Sequence, residues 1–142
     1  MKKLILPLGL AAFALGSAAF AADPPPHAHE SADLKTIMVG LGEDMAKVNM
    51  GLWLEDFGAI STAATAIADH PHVSPEERQR LQAILGKDFG SFAAADGAVH
   101  DQAVNLAKAA TAKDLDLTVQ RLAELQTGCV SCHTGFRARL AK

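Results

Sequence analysis

The sequence predicts an all-α protein built as an antiparallel four-helix bundle. Three observations carry that prediction. Beyond residue 31, apolar residues recur at spacings of three and four, which places them on one face of a helix. No segment alternates with the period of two that a half-buried strand needs, and β-branched and aromatic residues do not cluster. Long segments joined by short connections favour neighbouring helices that run in opposite directions.

Residues 1–21 have the form of a secretory signal. Lys2 and Lys3 begin it, Leu4 to Phe20 form an apolar stretch, and Ala19-Phe20-Ala21 offers a cleavage site. The stretch is interrupted by Pro7, Gly9 and Gly16 and is short for a membrane span. Cleavage leaves about 120 residues, the size of one domain. Residues 22–30 form a Pro/His-rich arm: Pro24-Pro25-Pro26 favours an extended, solvated chain. His27 and His29 in that arm form either a polar tail or a weak metal pair. The helical domain is then 31–142, with no second apolar run long enough to cross a bilayer.

The first helix is expected from about Ala32 to Asn49, with Ser31 as N-cap and Leu34, Ile37, Met38, Leu41, Met45 and Val48 on one face. The second is expected from about Leu52 to Asp69, through Trp53, Phe57, Ile60, Ala64 and Ile67, with Pro71 ending it. Ser74-Pro75-Glu76-Glu77 restarts a helix with an N-cap, a proline at the first position and acids in the first turn. Gly86 or Gly90 should break or bend that piece before a longer helix through Phe92, Val99, Ala103, Leu106 and Ala110. The last helix should start near Asp114 and run through Leu122 and Leu125 to Phe136 and Leu140.

The chemistry lies in that last helix. Cys129-Val130-Ser131-Cys132-His133 places two thiols three residues apart with an imidazole directly after them. That is what covalent c-type haem attachment needs: each thiol can add to one vinyl group, and the histidine can supply an axial nitrogen. The chain has no further cysteine, so the count matches one haem c. On a helix, positions i, i+3 and i+4 share one face, so all three side chains can meet one side of one haem. A structural disulfide, a redox dithiol or a zinc site are the alternatives. A dithiol of thioredoxin type belongs to a βαβ pattern that this chain lacks, and zinc requires a fourth ligand from elsewhere. The many alanines permit close helix approach and leave core volume that a haem would fill. At roughly 25 cal/mol per Å² its burial would contribute many kcal/mol, so the chain without haem should fold poorly.

An export signal, a helical bundle and Gly128-Cys129-Val130-Ser131-Cys132-His133 followed by Phe136-Arg137 together resemble the cytochrome c-prime family, the class II c-type cytochromes. The resemblance covers essentially the whole mature chain, and the last stretch is its specific part. Class I cytochromes c carry the haem motif near the N-terminus, which sets them apart. The resemblance implies that His133 is the proximal iron ligand and that Arg137 lies near it and the haem. The plain alternative for Arg137 is an exposed residue favoured by the helix dipole. In the family the distal residue comes from the first helix. Met38-Val39-Gly40-Leu41-Gly42-Glu43-Asp44-Met45 is similar to the low-spin relatives, which carry two methionines seven apart around Leu-Gly. By that likeness Met38 is the sixth ligand and Met45 a core residue; as plain core filler Met38 would do neither. The family often has an arginine one turn before the distal residue, near the haem propionates. This sequence has Leu34 there, with Lys35 beside it as a substitute. The resemblance also implies that the first two helices can form a homodimer interface, for which Trp53 is an anchor if it does not sit in the monomer core.

Loss of the signal takes two lysines with it and moves the formal charge from −3 to −5. That balance argues against a nucleic-acid partner and leaves room for basic periplasmic redox partners. The leading expectation is therefore a periplasmic one-electron carrier with a His133/Met38-ligated haem and no enzymatic activity. The alternatives are a high-spin cytochrome c-prime that binds nitric oxide or carbon monoxide, and a periplasmic protein that binds metal through His27, His29, His70, His72 or His100. Asp96 and His100, four apart, could pair or join Asp101 at a metal, though a solvated helix face explains them as well.

Overall fold

A computed structural model describes residues 31–141, so the signal-like segment, the proline-rich arm, His27 and His29 lie outside the described residues. The structure is mostly helical and compatible with an all-α bundle. After a two-residue strand, β1 (Ser31–Ala32), come α1 (Leu34–Trp53) and α2 (Phe57–Ala68). A second short strand, β2 (His72–Val73), is followed by α3 (Pro75–Leu85), a 3₁₀ turn at Gly86–Asp88, α4 (Phe89–Thr111) and α5 (Leu115–Leu140). None of the described helices is long and apolar enough to cross a membrane.

Ser31 does not cap the first helix. It belongs to β1, which pairs in parallel with β2 (Ser31 with His72, Ala32 with Val73). Asp33 caps α1 instead, its Oδ1 accepting the Thr36 amide at 2.8 Å. Nor does α1 stop at Asn49. Gly51 serves close approach rather than helix breaking: a Cβ there would lie 2.9 Å from Ile60 Cγ1 and 3.2 Å from the Ile60 nitrogen. The helix therefore runs on to Trp53, and α2 starts only at Phe57, capped by Asp56 through the Ala59 amide.

The α1–α2 and α4–α5 turns use the same device. In the first, the Glu55 amide donates to Leu52 O and Asp56 to Gly51 O; in the second, Lys113 donates to Ala110 O and Asp114 to Ala109 O. This double bond closes a helix around a left-handed residue, here Glu55 (φ 52°) and Lys113 (φ 56°). The aspartate that follows each one then caps the next helix, Asp114 accepting the Leu117 amide at 3.0 Å. At the start of α3, Ser74 Oγ accepts the Glu77 amide, as its sequence predicts. Gly86, at φ 55°, ends α3, whereas Gly90 lies inside α4.

α2 packs on both α1 and α4, and α5 packs on α4. The start of α2 meets the end of α4 through Ser61 and Thr111, 3.0 Å apart. The end of α2 meets the middle of α4 where His100 Nδ1–H donates to Ala68 O at 2.9 Å. Val48, Ile60, Ile67, Leu106 and Leu125 are fully buried between these helices, among alanines.

Candidate haem-attachment site

The C-terminal half of α5 is helical throughout, so Cys129, Cys132 and His133 follow one another around an arc of about 100°. Cys129 and Cys132 are half-buried, and Cys129 packs against the core cluster. His133, at the edge of that stripe, is exposed. Both thiols are free. Burial pushes the Cys129 thiol up, and burial together with the charges of Asp96 and Cys129 pushes Cys132 up. A redox dithiol needs the opposite, a thiolate stabilised by a helix N-terminus or a nearby cation. These cysteines lie in the C-terminal half of their helix, and Cys132 feels the charge of Asp96, which disfavours the dithiol reading.

Three contacts hold this half of α5 in place. Gly128 lets α5 approach α4: a Cβ there would lie 3.3 Å from Val99 Cγ2 and would collide with Gln102 Oε1. Phe136 meets Phe92 edge to face, ring centroids 5.5 Å apart. Arg139 donates to Asp88 at 2.8 Å and to the Ile84 and Leu85 carbonyls at 3.1 Å. The Gln102 contact escapes sequence reading because no periodicity marks which polar side chain faces a glycine on another helix.

The core cluster between α1, α2, α4 and α5 reaches Cys129 and goes no further along α5, although Leu81 and Leu85 of α3 are buried where Arg139 meets the Leu85 carbonyl. No residue of α5 after Leu125, and none of α4 before Val99, is fully buried. Along α1 none is between Ile37 and Val48. Apolar side chains remain uncovered at these levels: Met38 is 37% exposed, Val39 56% and Val130 62%. Two thiols, an imidazole and uncovered apolar surface form a donor set and surroundings that fit a covalently attached, flat, apolar group such as haem. Two open cavities lie elsewhere, one between the end of α1 and the start of α5 and one between α2 and α4.

The other expected site residues are placed as follows. Met38 is on the N-terminal half of α1, with Ile37 beside it buried and Met45 packed on the core. α1 packs chiefly on α2 and α5 chiefly on α4, so Met38 and His133 are not brought together by a shared packing interface. Lys35 is exposed in the first turn of α1, and Arg137 is exposed in the last turn of α5. Trp53 is 82% exposed and so is no part of the monomer core.

Asp96 does not pair with His100. Its Oδ1 lies 3.4 Å from His70 Nε2, while His100 bonds the end of α2. His70 Nδ1–H donates to Pro71 O at 2.9 Å, so Nε2 meets Asp96 as a donor only when the ring is protonated. The hydrogen bond to Asp96 raises the His70 pKa above its ordinary value, against the effect of burial. Among the described residues no three His, Cys, Asp or Glu side chains gather into a set that could hold a metal ion. His70, His72 and His100 thus form no metal centre by themselves. No family model matches this chain, and no curated protein or solved structure matches it either.

Proposed function

We propose that the protein is a periplasmic c-type cytochrome of the class II type, an electron carrier rather than an enzyme. The observation that carries this reading is the Cys129/Cys132/His133 face on α5, half-buried at its thiols and with Val130 uncovered beside it. In this reading Cys129 and Cys132 form the two thioether bonds. His133 supplies the proximal nitrogen and Met38 the distal sulfur. Lys35 and Arg137, both exposed, would meet the propionates. A haem held there supplies a reversible Fe(III)/Fe(II) couple, and a thioether ligand favours the reduced state. The contacts of α4 with α2 and with α5 support the antiparallel order that this fold requires.

The test is the absorption spectrum of the exported protein, oxidised and then reduced with dithionite. A sharp, split α/β pair on reduction and a weak near-infrared band on oxidation support His133/Met38 ligation. Met38→Ala is expected to abolish the near-infrared band. The exposure of Met38 favours one second reading, in which it stays off the iron and leaves that position open to nitric oxide or carbon monoxide. Broad high-spin bands in both oxidation states would select it.

A further inference from the structure

The largest uncovered side chains lie at the other end of the molecule. Leu52, Trp53 and Glu55 at the end of α1 and Leu115, Asp116 and Val119 at the start of α5 line one open cavity of about 440 Å³. Trp53, Leu54, Leu115 and Val119 are all exposed there. A contiguous exposed apolar patch with a central tryptophan is characteristic of an interaction surface, since scattered apolar residues rarely converge on one concavity. The two turns that carry it are fixed by their paired backbone bonds and aspartate caps, so little ordering remains to be lost on binding.

The charges around the patch select the occupant. Glu55 and Asp116 line the cavity, and Asp56 and Asp114 flank it in the two turns. Lys113 is the one cation of those turns. A second copy docked by two-fold symmetry would set these carboxylates against their own images, and an anionic lipid surface would repel them. We infer that the Trp53–Leu115 end of the bundle is a docking surface for a protein partner that presents an apolar side chain ringed by lysine or arginine. Eighteen residues separate Leu115 from His133, about 27 Å along α5, so this surface is distinct from the haem-attachment face and does not depend on it.

Trp53 is the only tryptophan in the chain and reports occupancy directly. The full exported protein is titrated with a helix-forming Leu/Lys peptide and with its Leu/Glu counterpart. The expected result is a saturable blue shift of Trp53 emission with the Leu/Lys peptide only, lost at high salt. Glu55→Lys/Asp116→Lys and Val119→Asp should each weaken it at least tenfold. Glu76→Lys/Asp101→Lys, exposed charges outside the patch, should leave it within twofold. Circular dichroism of each variant checks that the helices persist. An equal response to both peptides, or unchanged binding by Glu55→Lys/Asp116→Lys, overturns the inference. A dimer that sediments without peptide and is abolished by Trp53→Ala overturns it in favour of a second copy. The same blue shift with neutral phosphatidylcholine vesicles overturns it in favour of lipid.

Discussion

The Glu77 carboxylate joins α3 to the start of α1. It accepts the Leu34 amide at 3.2 Å and Nε and Nη2 of Arg80 at 2.7 and 2.8 Å. Ser74 caps its amide, and the Ser74 amide is taken by Ala32 O, so the carboxylate is left to reach α1. Glu77→Ala should cost about 1–3 kcal/mol by orphaning the Leu34 amide, measured by chemical denaturation. The Arg80 hydrogen bonds, chief among the causes, hold the Glu77 carboxyl below its ordinary value of 4.5. Its contribution is therefore complete above that value and is lost as pH falls through the lower folded pKa. His70 has the opposite sign. Its folded pKa is raised, so its pairing with Asp96 stabilises fully below 6.5 and fades as pH rises through the folded value. An NMR titration should place His70 above a surface histidine, and Asp96→Asn should bring it down. The sequence names both residues, but not their pairing, because they lie on opposite sides of α3 in the chain and meet only through the packing of α2 on α4.

The periodicity of apolar residues placed the helices in the sequence, while the helix ends followed rules that periodicity does not carry. The close approach at Gly51 shows only once its neighbour Ile60 is known; Asp33, two residues after Ser31, captures the cap because its carboxylate reaches Thr36. The Ser74-Pro75 start was legible because capping and proline placement are local. Gly51→Ala should destabilise by about 1–2 kcal/mol, the overpacking against Ile60 outweighing the gain in helix propensity. Lys113→Gly should act in the other direction. A glycine removes the Cβ strain of the left-handed turn and should stabilise by about 1 kcal/mol, seen as a higher Tm in a thermal melt.

Leu106, Ile60 and Leu125 belong to the buried centre of the molecule, while Met38, Val39 and Val130 are uncovered on one side of it and Trp53, Leu54 and Leu115 on the other. The proposed attachment motif is read from adjacent residues, because such chemistry is written locally. The exposure of Met38, Val39 and Val130 is not, because it depends on how separate helices pack. Without attachment, the N-terminal half of α1 and the C-terminal half of α5 should exchange amide hydrogens first. In Cys129→Ser/Cys132→Ser, hydrogen exchange should show these segments losing protection while the amides around Leu106 and Ile60 keep theirs. The central claim is the covalent bond itself, and intact mass spectrometry of the denatured, exported protein, made with the haem-attachment machinery, reads it directly. A single species heavier than the polypeptide by one haem, absent in Cys129→Ser/Cys132→Ser, is the expected result; a mass equal to the bare polypeptide would contradict the account.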